Sequence, residues 1–179
     1  MNYHPSWNPS AVEVFEKMIL AHGGWEAWDK RLSVRLKLVH FDGFLVALKG
    51  LGKTFHAPKT LIIDPKNRKV IFEFASHADA FENGRLVFSP THEQVADGRT
   101  LFKKHVFETW SPAHALYFFG YAWANYIGYP FILPQFELLN WDSRNTRSRF
   151  QIKFPKEFHT HCQVQTFYFD GQGSDLFGH

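Results

Sequence analysis

The residues of this sequence whose types and spacing suit chemistry are histidines, tyrosines and one asparagine. His114, Phe118, Tyr121 and Asn125 recur at i, i+4, i+7 and i+11, so on a helix they share one stripe. An imidazole, a phenol and a carboxamide on that stripe suffice to orient an otherwise apolar ligand. The same three groups equally fit a filled core, where buried Tyr and Asn find hydrogen-bond partners. His159-Thr160-His161 sets two imidazoles on one face of an expected strand, which is compatible with metal ligation. A metal site needs a third and usually a fourth ligand, and Cys162 would point to the other face. His159 and His161 are therefore only weak metal candidates, and no cofactor is expected. Nucleophilic chemistry has less support, because no serine sits in a GxSxG turn and the single cysteine has no local signature. Paired carboxylates are missing from any recognisable motif. His114 or His161, acting as a general base, is what remains for an enzyme.

The element that must position the first group is the aromatic run from Ser111 to Pro130. Ser111 suits a helix cap, Pro112 the first helical position, and Pro130 ends the pattern. The spacing predicts a helix over 112–129. Six rings lie between Tyr117 and Tyr126, and their burial is worth about 10 kcal/mol or more, comparable with the net stability of a domain. A helix apolar on all sides is expected to be internal, and polar tips on it suggest a lined cavity. At the helical rise it would span about 27 Å, close to a bilayer core. Composition argues against a membrane span: only Leu116 and Ile127 are branched aliphatics, and the Tyr and Trp residues lie mid-run instead of at interfaces. Gly120, Ala124 and Gly128 form a small-residue stripe that resembles a membrane dimer face and serves equally for close backbone approach to a sheet.

The chain has 179 residues, of which 45% are hydrophobic. That is enough for one well-filled core, so a single domain over 1–179 is expected. The formal net charge is +3, too small an imbalance to call for nucleic acid. Arg147, Arg149, Gln151 and Lys153 alternate with Ser148, Phe150, Ile152 and Phe154 and read as the solvated face of a strand. One cysteine excludes an internal disulfide. The first ten residues have neither a basic nor an apolar signal region, so a cytoplasmic location is the expectation.

A helical segment over 10–30 opens the chain. Ala11, Val14, Phe15, Met18, Ile19 and His22 mark its apolar face, Ser10 with Glu13 forms a capping box, and Gly23-Gly24 stops the first helix. Trp25 and Trp28 are expected to cover one end of the core. Period-two segments follow over 32–107, punctuated by Asp42-Gly43, Asn83-Gly84, Asp97-Gly98 and the longer turn Asp64-Pro65-Lys66-Asn67. The strands expected there include Val34–Leu38, Phe44–Leu48, Leu61–Asp64, Val70–Phe74, Arg85–Phe88 and Leu101–Phe107. Further strands fall within 136–170, at Thr146–Phe154 and Thr160–Phe169, before Asp170-Gly171. The fold class is α+β: a curved antiparallel sheet, an open half-barrel, wrapped around the internal aromatic helix, with an N-terminal amphipathic helix at one mouth.

Three stretches carry a resemblance: Ala21-His22-Gly23-Gly24-Trp25, the run from Tyr117 to Tyr126, and Gln165-Thr166-Phe167-Tyr168-Phe169-Asp170. From about Ala21 onward they resemble an uncharacterised bacterial family whose half-barrel fold is similar to that of the LolA/LolB lipoprotein carriers. The resemblance implies an apolar groove able to accept acyl chains or another greasy ligand. The chain departs from those carriers in showing no leader and no lipid-attachment cysteine. The resemblance to that family also implies further strands after the turn at Asp170-Gly171; without them Thr160–Phe169 would be an open edge, inviting a homodimer or suggesting a truncated product.

The function expected from these readings is non-catalytic binding or carriage of a hydrophobic small molecule or lipid. Its ligand-binding residues would be Trp25, His114, Tyr117, Phe118, Tyr121, Trp123, Asn125 and Tyr126. The alternatives are a small enzyme using His114 or His161 on an apolar substrate, and an interaction scaffold with a filled core.

Overall fold

The computed structural model of the chain describes residues 2–51, 58–89, 94–95, 97–99, 109–144, 147–170 and 176–177. Its helices are α1 (Pro9–Ala21), α2 (Gly24–Lys30), α3 (Phe44–Leu48) and α4 (Pro112–Gly128), with a 3-10 turn at Leu133–Gln135. Its strands are β1 (Val34–Lys37), β2 (Thr60–Asp64), β3 (Lys69–Glu73), β4 (Ala78–Glu82), β5 (Arg85–Val87), β6 (Gln94–Val95), β7 (Glu137–Arg144), β8 (Arg147–Lys153), β9 (Val164–Asp170) and β10 (Leu176–Phe177). The class is α+β, and among the described residues every strand pairing is antiparallel. The strands sort into two sheets, one ordered β1-β2-β3-β4-β5-β6 and the other β10-β9-β8-β7, and neither closes into a barrel. Among the described residues no helix is long and apolar enough to cross a membrane.

The chain divides into two compact units, Met1–Arg31 with Gly128–His179, and Leu32–Ile127. In the contiguous unit, strict alternation along the strands puts Leu61, Ile63, Val70, Phe72, Phe81 and Leu86 on one fully buried face. Register then stacks them: Leu61 lies opposite Phe72, Ile63 opposite Val70, Val70 opposite Phe81, and Phe81 opposite Leu86. Such cross-strand apolar pairs stabilise a sheet face that a helix can cover. That helix is α4, whose Ala115, Leu116, Tyr117, Tyr121, Ala122 and Ala124 join the same core. Gly120 makes the approach possible, since a methyl there would overlap Cβ and Cγ of Phe81. Asn83 and Gly84, both at positive φ, close the β4–β5 hairpin as the Asn-Gly signal predicts. The Asp64–Asn67 turn is held by the Asn67 N–H donating to Asp64 Oδ1 at 3.0 Å.

The second unit joins the two ends of the chain. Ala11, Phe15, Met18 and Ile19 of α1 are buried with Phe150 and Ile152 of β8 and Phe167 and Phe169 of β9. The expected alternation along β8 holds, with Ser148, Phe150 and Ile152 buried and Arg147 and Lys153 exposed. Ring contacts knit this core: Trp7 stacks on Phe150 at 5.6 Å, Phe15 meets Phe150 edge-on at 5.3 Å, and Trp28 stacks on Phe131 at 4.6 Å.

Several expectations are corrected. The N-cap of α1 is Asn8, whose side chain accepts from the Ala11 N–H at 2.9 Å, so Ser10 lies inside the helix and makes no capping box with Glu13. Asn8 wins because Pro9 suits the first helical turn and leaves no backbone donor there. Phe44–Leu48 is a helix, not a strand, and Asp42-Gly43 leads into it instead of closing a hairpin. The last expected strand begins at Val164, so His159-Thr160-His161 lies in the β8–β9 loop. That loop is tied down by the Phe154 N–H donating to Gln163 O at 2.7 Å and by Gln165 Nε2 donating to Cys162 O at 2.9 Å and to Thr160 Oγ1. The Asp170 end of β9 is not open, because β10 pairs with Tyr168 and Phe169. The expected strand Leu101–Phe107 falls outside the described residues.

Candidate functional site

On α4, a second face builds a site. Phe118, Phe119, Ala122, Trp123 and Tyr126 lie at i, i+1, i+4, i+5 and i+8, one continuous face, and they floor a hollow of about 330 Å³. Its other wall is Leu38, His40, Phe41, Asp42 and Val46, from the end of β1, the following loop and α3. The turn between strand and helix needs Gly43, at φ 119°, a backbone conformation that only glycine adopts readily. The end of α3 is anchored by the Trp110 N–H donating to Lys49 O at 3.0 Å, with Lys49 Nζ 5.2 Å from the Trp110 ring centre. Trp110 in turn packs against Phe118 at 4.8 Å. The rings of the hollow brace one another edge-on: Phe41 meets Phe119 at 4.9 Å, and Phe118 meets Phe119 at 5.3 Å. Beside it, Phe44 and Leu48 of α3 are exposed.

The polar groups expected to line a cavity do not share this hollow. His114 belongs to the helix start: Ser111 Oγ lies 2.7 Å from its Nδ1, and the His114 N–H donates back to Ser111 Oγ at 3.4 Å. This reciprocal pair resembles a capping box in which imidazole takes the place of the usual carboxylate. Asn125, buried, accepts from Arg68 Nη1 at 2.9 Å, while Arg68 Nε donates to Asn83 Oδ1 at 3.2 Å. Its amide therefore ties the helix to two turns of the sheet. Tyr117 and Tyr121 are core residues, their rings 5.1 Å apart. Burial pushes the Tyr117 phenol up, opposed by a hydrogen bond from Arg99. Trp25 belongs to the other unit, where its indole N–H donates to the Glu16 carboxylate at 3.0 and 3.1 Å and its ring meets Phe131. Of the residues expected to bind ligand, Phe118, Trp123 and Tyr126 line the hollow.

His161 is exposed and His159 buried, both in the β8–β9 loop of the unit that does not hold the hollow. Among the described residues no three His, Cys, Asp or Glu side chains come together in a way that could hold a metal ion. That unit has its own depression of about 460 Å³, lined by His4, Gln135, Phe136, Glu137, Lys153, Phe154 and Pro155. Its charges are already spent on each other, with Lys153 Nζ 2.8 Å from Glu137 Oε2. The residues that sequence reading missed, His40, Phe41, Asp42 and Val46, come from the stretch taken for a strand and hairpin. A signal was there: Phe44-Leu45-Val46-Ala47-Leu48 shows no polar alternation, which suits a half-buried strand poorly.

Comparisons of the chain with protein-family models, with curated proteins and with solved structures found no match.

Proposed function

We propose that this protein binds a small apolar molecule in the hollow between α4 and the β1–α3 segment and does not transform it. The observation that carries this reading is the hollow itself: four phenylalanine and tryptophan rings with Leu38, Val46 and Ala122 surround unfilled volume instead of packing it out. Concave apolar sites with a few polar groups at one edge are the usual form of a ligand pocket. The volume, about 330 Å³, is at the low end of the roughly 300–1,000 Å³ typical of small-molecule sites. One short acyl chain or one ring system fits; a whole multi-chain lipid does not. The groove implied by the carrier-like resemblance agrees with this in kind. A catalytic reading has less behind it, because His114 is engaged in capping the helix and His161 lies in the other unit.

Filling the hollow tests the proposal. Ala122→Trp and, from the opposite wall, Val46→Trp should each weaken uptake of the neutral fluorophore N-phenylnaphthylamine by about tenfold or more while circular dichroism stays native. Native mass spectrometry of gently isolated protein should show a small extractable apolar compound, lost in both variants. Undiminished fluorophore uptake in both folded variants would remove the hollow from consideration.

A further inference from the structure

The hollow carries a charge pattern that narrows its ligand. Five of its lining residues are aromatic, Phe41, Phe118, Phe119, Trp123 and Tyr126. The single charged residue among its described lining is Asp42. Asp42 is exposed at the rim, in the loop between β1 and α3. It makes no hydrogen bond or ion pair with any described residue, and among the described residues no Lys or Arg lines the hollow to neutralise it. Aromatic faces carry negative quadrupolar charge and attract cations, most strongly where water is displaced. A carboxylate beside them adds Coulomb attraction for a positive head and repulsion for a negative one. Against this, an acyl carboxylate entering the same mouth would meet Asp42, with His40 the one potentially cationic residue in the described lining.

Resting on the reading that the hollow binds an apolar molecule, we infer that its ligand is an amine: an apolar body bearing an ammonium group, the body among Phe118, Phe119 and Trp123 and the cation at the Asp42 rim. The hollow thereby selects amphiphilic cations over fatty acids of equal chain length. The aspartate acts on the ligand by charge and not by holding the fold, since its side chain bonds to nothing in the described structure.

Three probes of one chain length separate the possibilities: octyltrimethylammonium, octanol and octanoate, each titrated by calorimetry into the full chain and into Asp42→Asn. The expected order is ammonium tightest, about tenfold over octanoate, with octanol between. Raising salt should narrow the gap. In Asp42→Asn the ammonium should lose about threefold or more, approaching octanol, while octanol binds as before. If octanol binds and the ammonium is no tighter than octanoate, or if the preference survives undiminished in Asp42→Asn, the amine assignment is overturned while the hollow remains a binding site. If none of the three binds the full chain, both readings fall together.

Discussion

Gly120 is the residue on which the contiguous unit turns. Without a Cβ it lets α4 settle onto Phe81, and adding bulk forces helix and sheet apart. Gly120→Val should therefore destabilise the protein by about 1–3 kcal/mol, read as a lower urea midpoint. An unchanged midpoint would mean that the contact is not close-packed. Asn125 and His114 illustrate how a polar residue on an aromatic helix is easily taken for part of a site. Each satisfies a structural need: one receives the Arg68 guanidinium, and the other completes the cap with Ser111. His114→Ala should lower stability by about 0.5–2 kcal/mol through the lost cap, with fluorophore uptake by the folded protein unaltered. Loss of uptake without loss of stability would return His114 to the binding site.

At the scale of elements, the strands of the contiguous unit are pinned at their turns by charge as well as by glycine. Glu82, at the end of β4, accepts from Lys69 of β3 at 2.7 Å and from Arg85 of β5 at 2.6 Å. The Lys69 hydrogen bond first, and Arg85 second, hold its carboxyl below the ordinary value of 4.5. A depressed folded value means that the stability from this carboxylate is fully present above the ordinary value. It is lost as pH falls through the folded one. Glu82→Gln should cost about 0.5–1 kcal/mol at neutral pH, and the gap from the parent should close on acidification below 4.5. Urea midpoints of the two proteins at neutral and acid pH measure this, and a gap that persists in acid would contradict it. Much at this scale was legible: the i, i+3, i+4 repeat of α1, the alternation along β8 and the Asn83-Gly84 hairpin follow from backbone periodicity and turn chemistry. The helix α3 was not, because Asp-Gly before an apolar run suits a hairpin strand and a glycine-started helix equally well, and tertiary packing decides between them.

For the whole molecule, the division into units makes a prediction of its own. The segment Leu32–Ile127 is contiguous and holds both the hollow and a complete core, so expressed alone it should take up N-phenylnaphthylamine with an affinity close to that of the full chain. A folded fragment that binds nothing would show that the hollow's lining is incomplete without the remaining residues. The other unit is assembled from both chain ends, α1 and α2 with β7 to β10, and no local pattern announces such a union. Periodicity, turn residues and the density of rings between Tyr117 and Tyr126 determined from the sequence that the chain is α+β, antiparallel, and built with a largely buried aromatic helix. These are consequences of side chains acting over a few neighbours. Which stripe of that helix meets the sheet, and which faces a hollow, was decided only in three dimensions. Gly120 and Phe81 turn one face inward, and the loop carrying Phe41 and Asp42 closes over the other. Steric fit between residues far apart in sequence leaves no periodic trace.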